Sequence, residues 1–313
     1  EAVSLLQGLQ ESAGDKIMIR HAEGCDWWSQ DKSHIAEAVE VVRNSDIAVV
    51  AVGTRSTYLG RSPKYSTAGE GFDLSSLELP GVQEELLKEI KKTGKPLAMP
   101  WVKENADAVL VQWYAGEQQG RTLADILLGK VNPSGKLNVS FPRSTGNTPC
   151  FYNHFVTDRE EPFDQPGTPE EPKGHYIFDK PEPLWNFGHG KSYTTFDYVD
   201  CALSDTLLAA SDTLKVSVMI KNTGRCDGKE VVQLYVRDKV STVATPIQQL
   251  KAFQKVLVKS GESQCVELSL PIAELALYNA KMEEVVEPGD FEIQIGAASD
   301  DIRFKKTITI NRK

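Results

Sequence analysis

Apolar and polar positions follow two different periods along the chain, and the change falls near its middle. In the first half the period is mostly helical. The segment HIAEAVEVVRNSD (His34 to Asp46) places Ile35, Ala38, Val39 and Val42 on one helical face. LPGVQEELLKEIKKTGKP does the same with Val82, Leu86, Leu87 and Ile90, with Lys91 and Lys92 at the end that favours cations and Gly94 as a stop. EAVSLLQGLQ reads as an amphipathic helix, and TLADILLG (Thr122 to Gly129) as a short helix with a glycine stop. Between these lie continuous apolar runs. IAVVAVG (Ile47 to Gly53) and AVLVQW (Ala108 to Trp113) have the look of parallel strands buried on both faces. Strand and helix in alternation predict a doubly wound α/β sheet with helices on both faces.

One stretch breaks this pattern. After Gly94 a strand is due, yet KPLAMPW leaves only Leu97, Ala98 and Met99 between two prolines. Three residues are too few for a core strand, and proline cannot donate to a ladder, so a strand is missing there. Residues 144 to about 190 are rich in Pro, Gly, acids and aromatics, and read as a functional loop, a domain-wrapping linker or an inert one. From Phe196 onward the pattern is β only. DTLKVSVMIKN alternates Leu214, Val216, Val218 and Ile220 inward, and EVVQLYV, KAFQKVLV, CVELSLP, DFEIQIG and FKKTITI follow between turn signals such as NTG, SGE and EPGD. About seven strands in this stretch predict an immunoglobulin-like β-sandwich. The expected domains are an α/β sandwich over 1–143, an irregular linker over 144–195 and a β-sandwich over 196–313.

The 313 residues suffice for two domains. With 35 Lys plus Arg against 44 Asp plus Glu, the formal net charge of −9 argues against nucleic acid or an anionic membrane as partner. No apolar run approaches the length of a membrane span. The N-terminal residues show no basic leader followed by an apolar stretch, so either the protein is cytosolic or a leader lies upstream. Cys25, Cys150, Cys201, Cys226 and Cys265 include no CxxC pair and read as free thiols, with at most one bridge among the last three. The five histidines give no metal-ligand spacing, and neither a metal nor a cofactor is expected.

Candidate chemistry concentrates in the loop Thr54 to Gly81, which leaves the C-terminal end of the first apolar run, where open α/β sheets bind ligands. Its Gly69-Glu70-Gly71 carries a carboxyl with little local shielding on a permissive backbone. The competing reading is a solvated loop carboxylate. Ser75 or Ser76 with Glu78 suits a cap for a turn before the next helix. No phosphate-cradling glycine loop and no GxSxG elbow is present. Trp27, Trp28 and Trp113 suit either sugar stacking or packing.

Several ordered motifs carry a resemblance: EGCD at 23–26, GEGFDLSSLELPGVQEELL at 69–87, PWVKENADAVL at 100–110 and WYAGEQQGRTLADILLGKVNPSGKLNVSFPRS at 113–144. PLWNFGHGKSYTTF at 183–196, NTGRCDGKEVVQLYVRD at 222–238, TPIQQLKAF at 245–253 and EPGDFEIQIGAASDDI at 287–302 continue it. In these the chain resembles glycoside hydrolase family 3, the β-glucosidase and β-xylosidase group, over nearly its whole length, ending in that family's fibronectin type III-like domain. The resemblance implies a retaining exo-acting β-glycosidase, β-glucosidase first, working on terminal non-reducing residues of β-linked oligosaccharides or aryl glycosides. Such enzymes hold a nucleophile and a general acid/base about 5 Å apart. The nucleophile is an aspartate of an N-terminal (β/α)8 barrel. The acid/base is a glutamate in a Gly-Glu-Gly motif, which falls here on Glu70. Proton donation implies surroundings that raise its pKa, and Phe72 is a candidate for part of them. Arg61 and Tyr65 resemble positions facing the leaving-group subsite. Where many relatives have Asp-Arg, this chain has Asp73-Leu74.

The barrel and its aspartate have no counterpart in these residues, nor do the sheet's first strand and about ten residues around Lys95 and Pro96. The chain is therefore read as the C-terminal portion of a β-glycosidase, inactive alone because one carboxyl cannot run a double displacement. The alternative is a non-catalytic carbohydrate-binding or scaffold fragment. A sheet short of strands exposes edges and apolar faces, so self-association into a homo-oligomer or element swapping is expected. Resemblance to bacterial polysaccharide-degrading members implies a periplasmic or secreted protein.

Overall fold

The computed structural model describes residues 2–57, 66–69, 72–94, 103, 105–113, 115–155, 168–170, 180 and 182–311. The chain divides by packing into two units, residues 1–130 with 144–146 and residues 131–143 with 147–313.

In the first unit, α1 (Leu5–Ala13) is capped by Ser4, whose hydroxyl accepts from the Gln7 amide. It crosses α4 (Gln119–Leu127) at Gly8 and Gly120, where a Cβ on either glycine would overlap the other segment's backbone. Glycine is required there for close approach. A second core forms between α2 (Ile35–Arg43) and α3 (Gln83–Lys91). Its buried side chains are Ile35, Ala38, Val42, Val82, Leu86, Leu87 and Ile90, the helical faces read from the sequence. Gly94 takes a positive φ of 80° after α3, as a helix stop requires.

Residues 47–53 run extended beside this core, but not as the doubly buried strand the sequence predicts. Ala48, Val50 and Val52 pack on the helices, while Ile47 is 75% exposed and Val49 51%. Neither this segment nor 108–113 enters a backbone ladder among the described residues. A parallel strand becomes doubly buried only when neighbours pair its edges and a second layer covers its other face, and no described element does either for 47–53. The strand-like pairing of this unit among the described residues is short, β1 (Ser56–Thr57) parallel to β2 (Ala68–Gly69). The proline-bounded stretch at 95–102 lies outside the described residues.

The second unit is a β-sandwich. One sheet orders β4 (Leu207–Leu208), β12 (Asp301–Ile310), β11 (Gly289–Ala298), β6 (Gly228–Asp238) and β7 (Gln249–Val258); the other orders β3 (Phe196–Leu203), β5 (Thr213–Asn222) and β8 (Ser263–Pro271). Pairing within these two sheets is antiparallel except β4 with β12, and β9 (Leu277–Tyr278) pairs antiparallel with β10 (Glu284–Val285) outside them. Leu214, Val216, Val218 and Ile220 are all fully buried, and with Leu234, Leu270, Ile293 and Ile308 they form the core between the sheets. The NTG signal is a side-chain-capped turn: the Asn222 carboxamide accepts from Gly224 N at 3.0 Å and donates to Cys226 O and Val258 O, both at 2.9 Å. Residues 137–141 pair with 184–189 through Leu137 N to His189 O and Phe141 N to Trp185 O, both at 2.8 Å. An ion pair between Lys136 and Glu230 at 3.0 Å, with side chains only 13% and 6% exposed, fixes that segment to β6.

All five cysteines are free. No described helix is long and apolar enough to cross a membrane.

Candidate active site

The loop with the candidate chemistry leaves the 47–53 segment at Gly53. That residue has a φ of 148°, open to glycine and strained for other residues. Two residues on, Arg55 O accepts from the amides of Thr67 at 2.9 Å and Ala68 at 3.3 Å, and Arg55 N donates to Thr67 Oγ1 at 3.1 Å. The strand pair β1–β2 follows, so the chain is brought back to the root of its own loop at Gly69. Glu70 is the next residue in the sequence.

The root is held from the other side by α3. Gln83, the first residue of that helix, is buried among apolar neighbours. Its Oε1 accepts from Gly53 N at 2.7 Å, and its Nε2 donates to Gly53 O at 2.9 Å, Pro80 O at 3.0 Å and Trp27 O at 3.2 Å. These partners fix which way the amide points, since an N–H must face an oxygen and three carbonyls face Nε2. Beside it, the Arg55 guanidinium lies 5.0 Å from the centroid of the Trp27 ring, a cation–π contact. Trp27 thereby packs within the scaffold of the loop. Further along, Ser76 Oγ accepts from Glu78 N at 3.1 Å, which is the turn cap expected before α3, and Thr145 Oγ1 accepts from Leu77 N at 3.2 Å.

Of the four residues singled out from the sequence, Phe72 is half-buried, next in sequence after the Gly-Glu-Gly motif. Glu70, Arg61 and Tyr65 lie outside the described residues. Asp73 accepts from the Leu74 amide at 2.8 Å and both are exposed. The Cys25 thiol in EGCD is pushed up by burial and then by the Asp26 charge, which keeps it protonated and unsuited to nucleophilic work at neutral pH. Among the described residues no group of three His, Cys, Asp or Glu side chains gathers as metal ligands would.

Sequence reasoning passed over Gln83 and Arg55. The signal for Gln83 was present: it shares a helical face with Leu87 and Ile90, and a polar side chain on a buried face must find partners.

Residues 1–193 match the glycosyl hydrolase family 3 C-terminal domain and residues 230–299 the fibronectin type III-like domain. A β-xylosidase of Formosa agariphila is 39% identical over 99% of this chain and 42% of its own length. The periplasmic β-glucosidase of Salmonella typhimurium is 33% identical over 97% of this chain and 42% of its own. Among solved structures, a β-glucosidase from Erythrobacter marinus superposes with a TM-score of 0.85 at 33% identity, covering 99% of this chain and 43% of that one. A mutant β-glucosidase from Listeria innocua in complex with laminaribiose gives 0.82 at 30% identity, over 99% of this chain and 42% of that one. The chain thus spans about two-fifths of the length of these relatives, and its mixed α/β unit followed by a sandwich corresponds to their C-terminal region. This chain belongs to glycosyl hydrolase family 3, as its C-terminal α/β domain joined to a fibronectin type III-like domain.

Proposed function

We propose that this chain supplies the general acid/base, Glu70, to a retaining exo-acting β-glycosidase, with β-glucosides as the first substrate class. The nucleophile comes from a barrel that these 313 residues do not include. The observation that supports this most is the anchoring just described: Gly69 ends a strand pair rooted at Gly53, so Glu70 follows directly on a backbone tied at the C-terminal end of an extended α/β segment. In the double displacement Glu70, protonated, delivers its proton to the leaving oxygen as an aspartate attacks the anomeric carbon. Ionised, it then takes a proton from the water that releases the sugar. In this reading Arg61 and Tyr65 serve the leaving-group subsite, and Phe72 supplies part of the surroundings that raise the acid's pKa. By sequence the domains are an α/β sandwich over 1–143, a linker over 144–195 and a β-sandwich over 196–313, with 131–143 and most of the linker packing in the unit of the β-sandwich. The protein is periplasmic or secreted in this reading, which the periplasmic β-glucosidase of Salmonella typhimurium among its relatives supports. The outward Ile47 and Val49 favour self-association of the chain on its own.

The test joins the chain to a family 3 barrel and compares wild type with Glu70→Gln. The variant should lose about 10²–10⁴-fold on glycosides with poor leaving groups and much less on a dinitrophenyl glycoside. Azide should restore turnover of the latter as the glycosyl azide. Unchanged turnover in Glu70→Gln removes the assignment. Saturable binding of cellobiose by a catalytically silent fusion would favour a carbohydrate-binding module instead.

A further inference from the structure

We propose that Gln83 is a positioning residue for the segment that leads from Gly69 into Glu70, acting through the root of the loop that carries it. The inference rests on the reading of Glu70 as the acid/base.

A carboxamide has the donor and acceptor of a peptide group. At Gly53 the Gln83 side chain meets both the N–H, at 2.7 Å, and the C=O, at 2.9 Å, of one residue. That is the two-point pairing a neighbouring strand gives to a residue in a ladder. The 47–53 segment has no ladder partner among the described residues, so the side chain does there what a strand would do. The same Nε2 reaches Pro80 O at 3.0 Å, at the other end of the loop, and Trp27 O at 3.2 Å. One buried amide therefore fastens the entry of the loop, its exit and the segment packed beside it.

From this clamp a continuous set of contacts leads to Gly69. Gly53 leads to Arg55, whose backbone binds Thr67 and Ala68 and whose guanidinium rests over Trp27. Thr67 and Ala68 lead through β2 to Gly69, and Glu70 follows. General acid catalysis needs the proton within hydrogen-bond reach of the leaving oxygen, so a small displacement of the backbone that leads into Glu70 costs rate. Burial matters as well, since in a wet site water would compete for both of the Gly53 groups.

Hydrogen exchange on this chain tests the clamp without reference to activity. Peptides covering 47–57 and 66–82 are followed in wild type and in Gln83→Met, which keeps the volume and removes the polar atoms. The Gly53 amide should exchange about tenfold faster in the variant, with faster exchange also at Thr67 and Ala68, while α1 and α4 stay unchanged. Equal exchange at Gly53 in the two proteins overturns the inference. Should Gln83→Met fail to fold, Gln83→Glu replaces it. Its carboxyl keeps an acceptor for Gly53 N but can donate to Gly53 O or Pro80 O only when protonated, so protection factors at Thr67 and Ala68 should be high at acid pH and fall once the carboxyl ionises. Protection that does not change with pH overturns the inference equally.

In the barrel-joined enzyme, Gln83→Met should lower kcat for a phenyl β-glucoside about tenfold more than kcat for the dinitrophenyl β-glucoside, because only the former needs the proton. Equal loss on both means the residue supports the fold alone, and the positioning role falls. Failure of the Glu70 reading itself shows separately, as a Glu70→Gln enzyme without leaving-group dependence.

Discussion

In the sandwich, Leu214, Val216, Val218 and Ile220 are buried in turn, each opposite a paired residue of β8. In the α/β unit, Ala48, Val50 and Val52 face helices while Ile47 and Val49 between them stand in solvent. Both stretches are apolar and β-branched, and they differ in what surrounds them. The sandwich strands all find their ladder partners inside the one unit, from the hairpin of β6 with β7 to the return of β12 onto β4, so pairing and the inner face are completed within it. A doubly wound sheet gathers its strands across helical crossovers, and losing one neighbour leaves the next strand with open edges. The first unit compensates at one point with a side chain, Gln83, in place of a strand.

The largest expected effect lies in the completed unit. Lys136→Met leaves the Glu230 carboxylate buried without its cation, at a cost of about 3–5 kcal/mol. Adding Glu230→Leu should recover most of that, and thermal unfolding of both variants measures it. No recovery would mean that the ion pair, and not the burial of one charge, carries the stability. A smaller effect separates the faces of the α/β segment. Val50→Ala should cost about 1 kcal/mol from lost apolar burial. Val49→Ala should stay within about 0.5 kcal/mol, as exposed sites do. Equal costs would show that the outer face is covered after all. The smallest effect appears only in alkali. Burial first, and then the Glu230 charge, push Tyr198 far above the ordinary phenol range. The unfolded chain therefore releases this proton first, at about pH 10, and stability falls as pH rises beyond that point. Tyr198→Phe should flatten this alkaline limb while leaving the slope at neutral pH unchanged. An unchanged limb would assign it to other groups.

The same difference decides what was legible in the sequence. Alternation located β5, and β8 is likewise buried on a period of two, while apolar, β-branched runs between turn signals located β6, β7, β11 and β12. The apolar face of α3 was legible for the same reason, and Val82, Leu86, Leu87 and Ile90 are buried as read. The run 47–53 was misjudged on its outer face, because a continuous apolar run carries no sign of whether a second layer covers it. The Gly-Glu-Gly motif marked the loop. The clamp at its root escaped notice because counting apolar positions on α3 passed over the glutamine among them.

Turnover of an aryl β-glucoside by the purified chain, alone and after mixing with or fusion to a family 3 barrel, tests the central claim most directly. We predict no hydrolysis by the chain alone and activity once a barrel with its aspartate is supplied. Hydrolysis by the chain alone that Glu70→Gln leaves intact would contradict it.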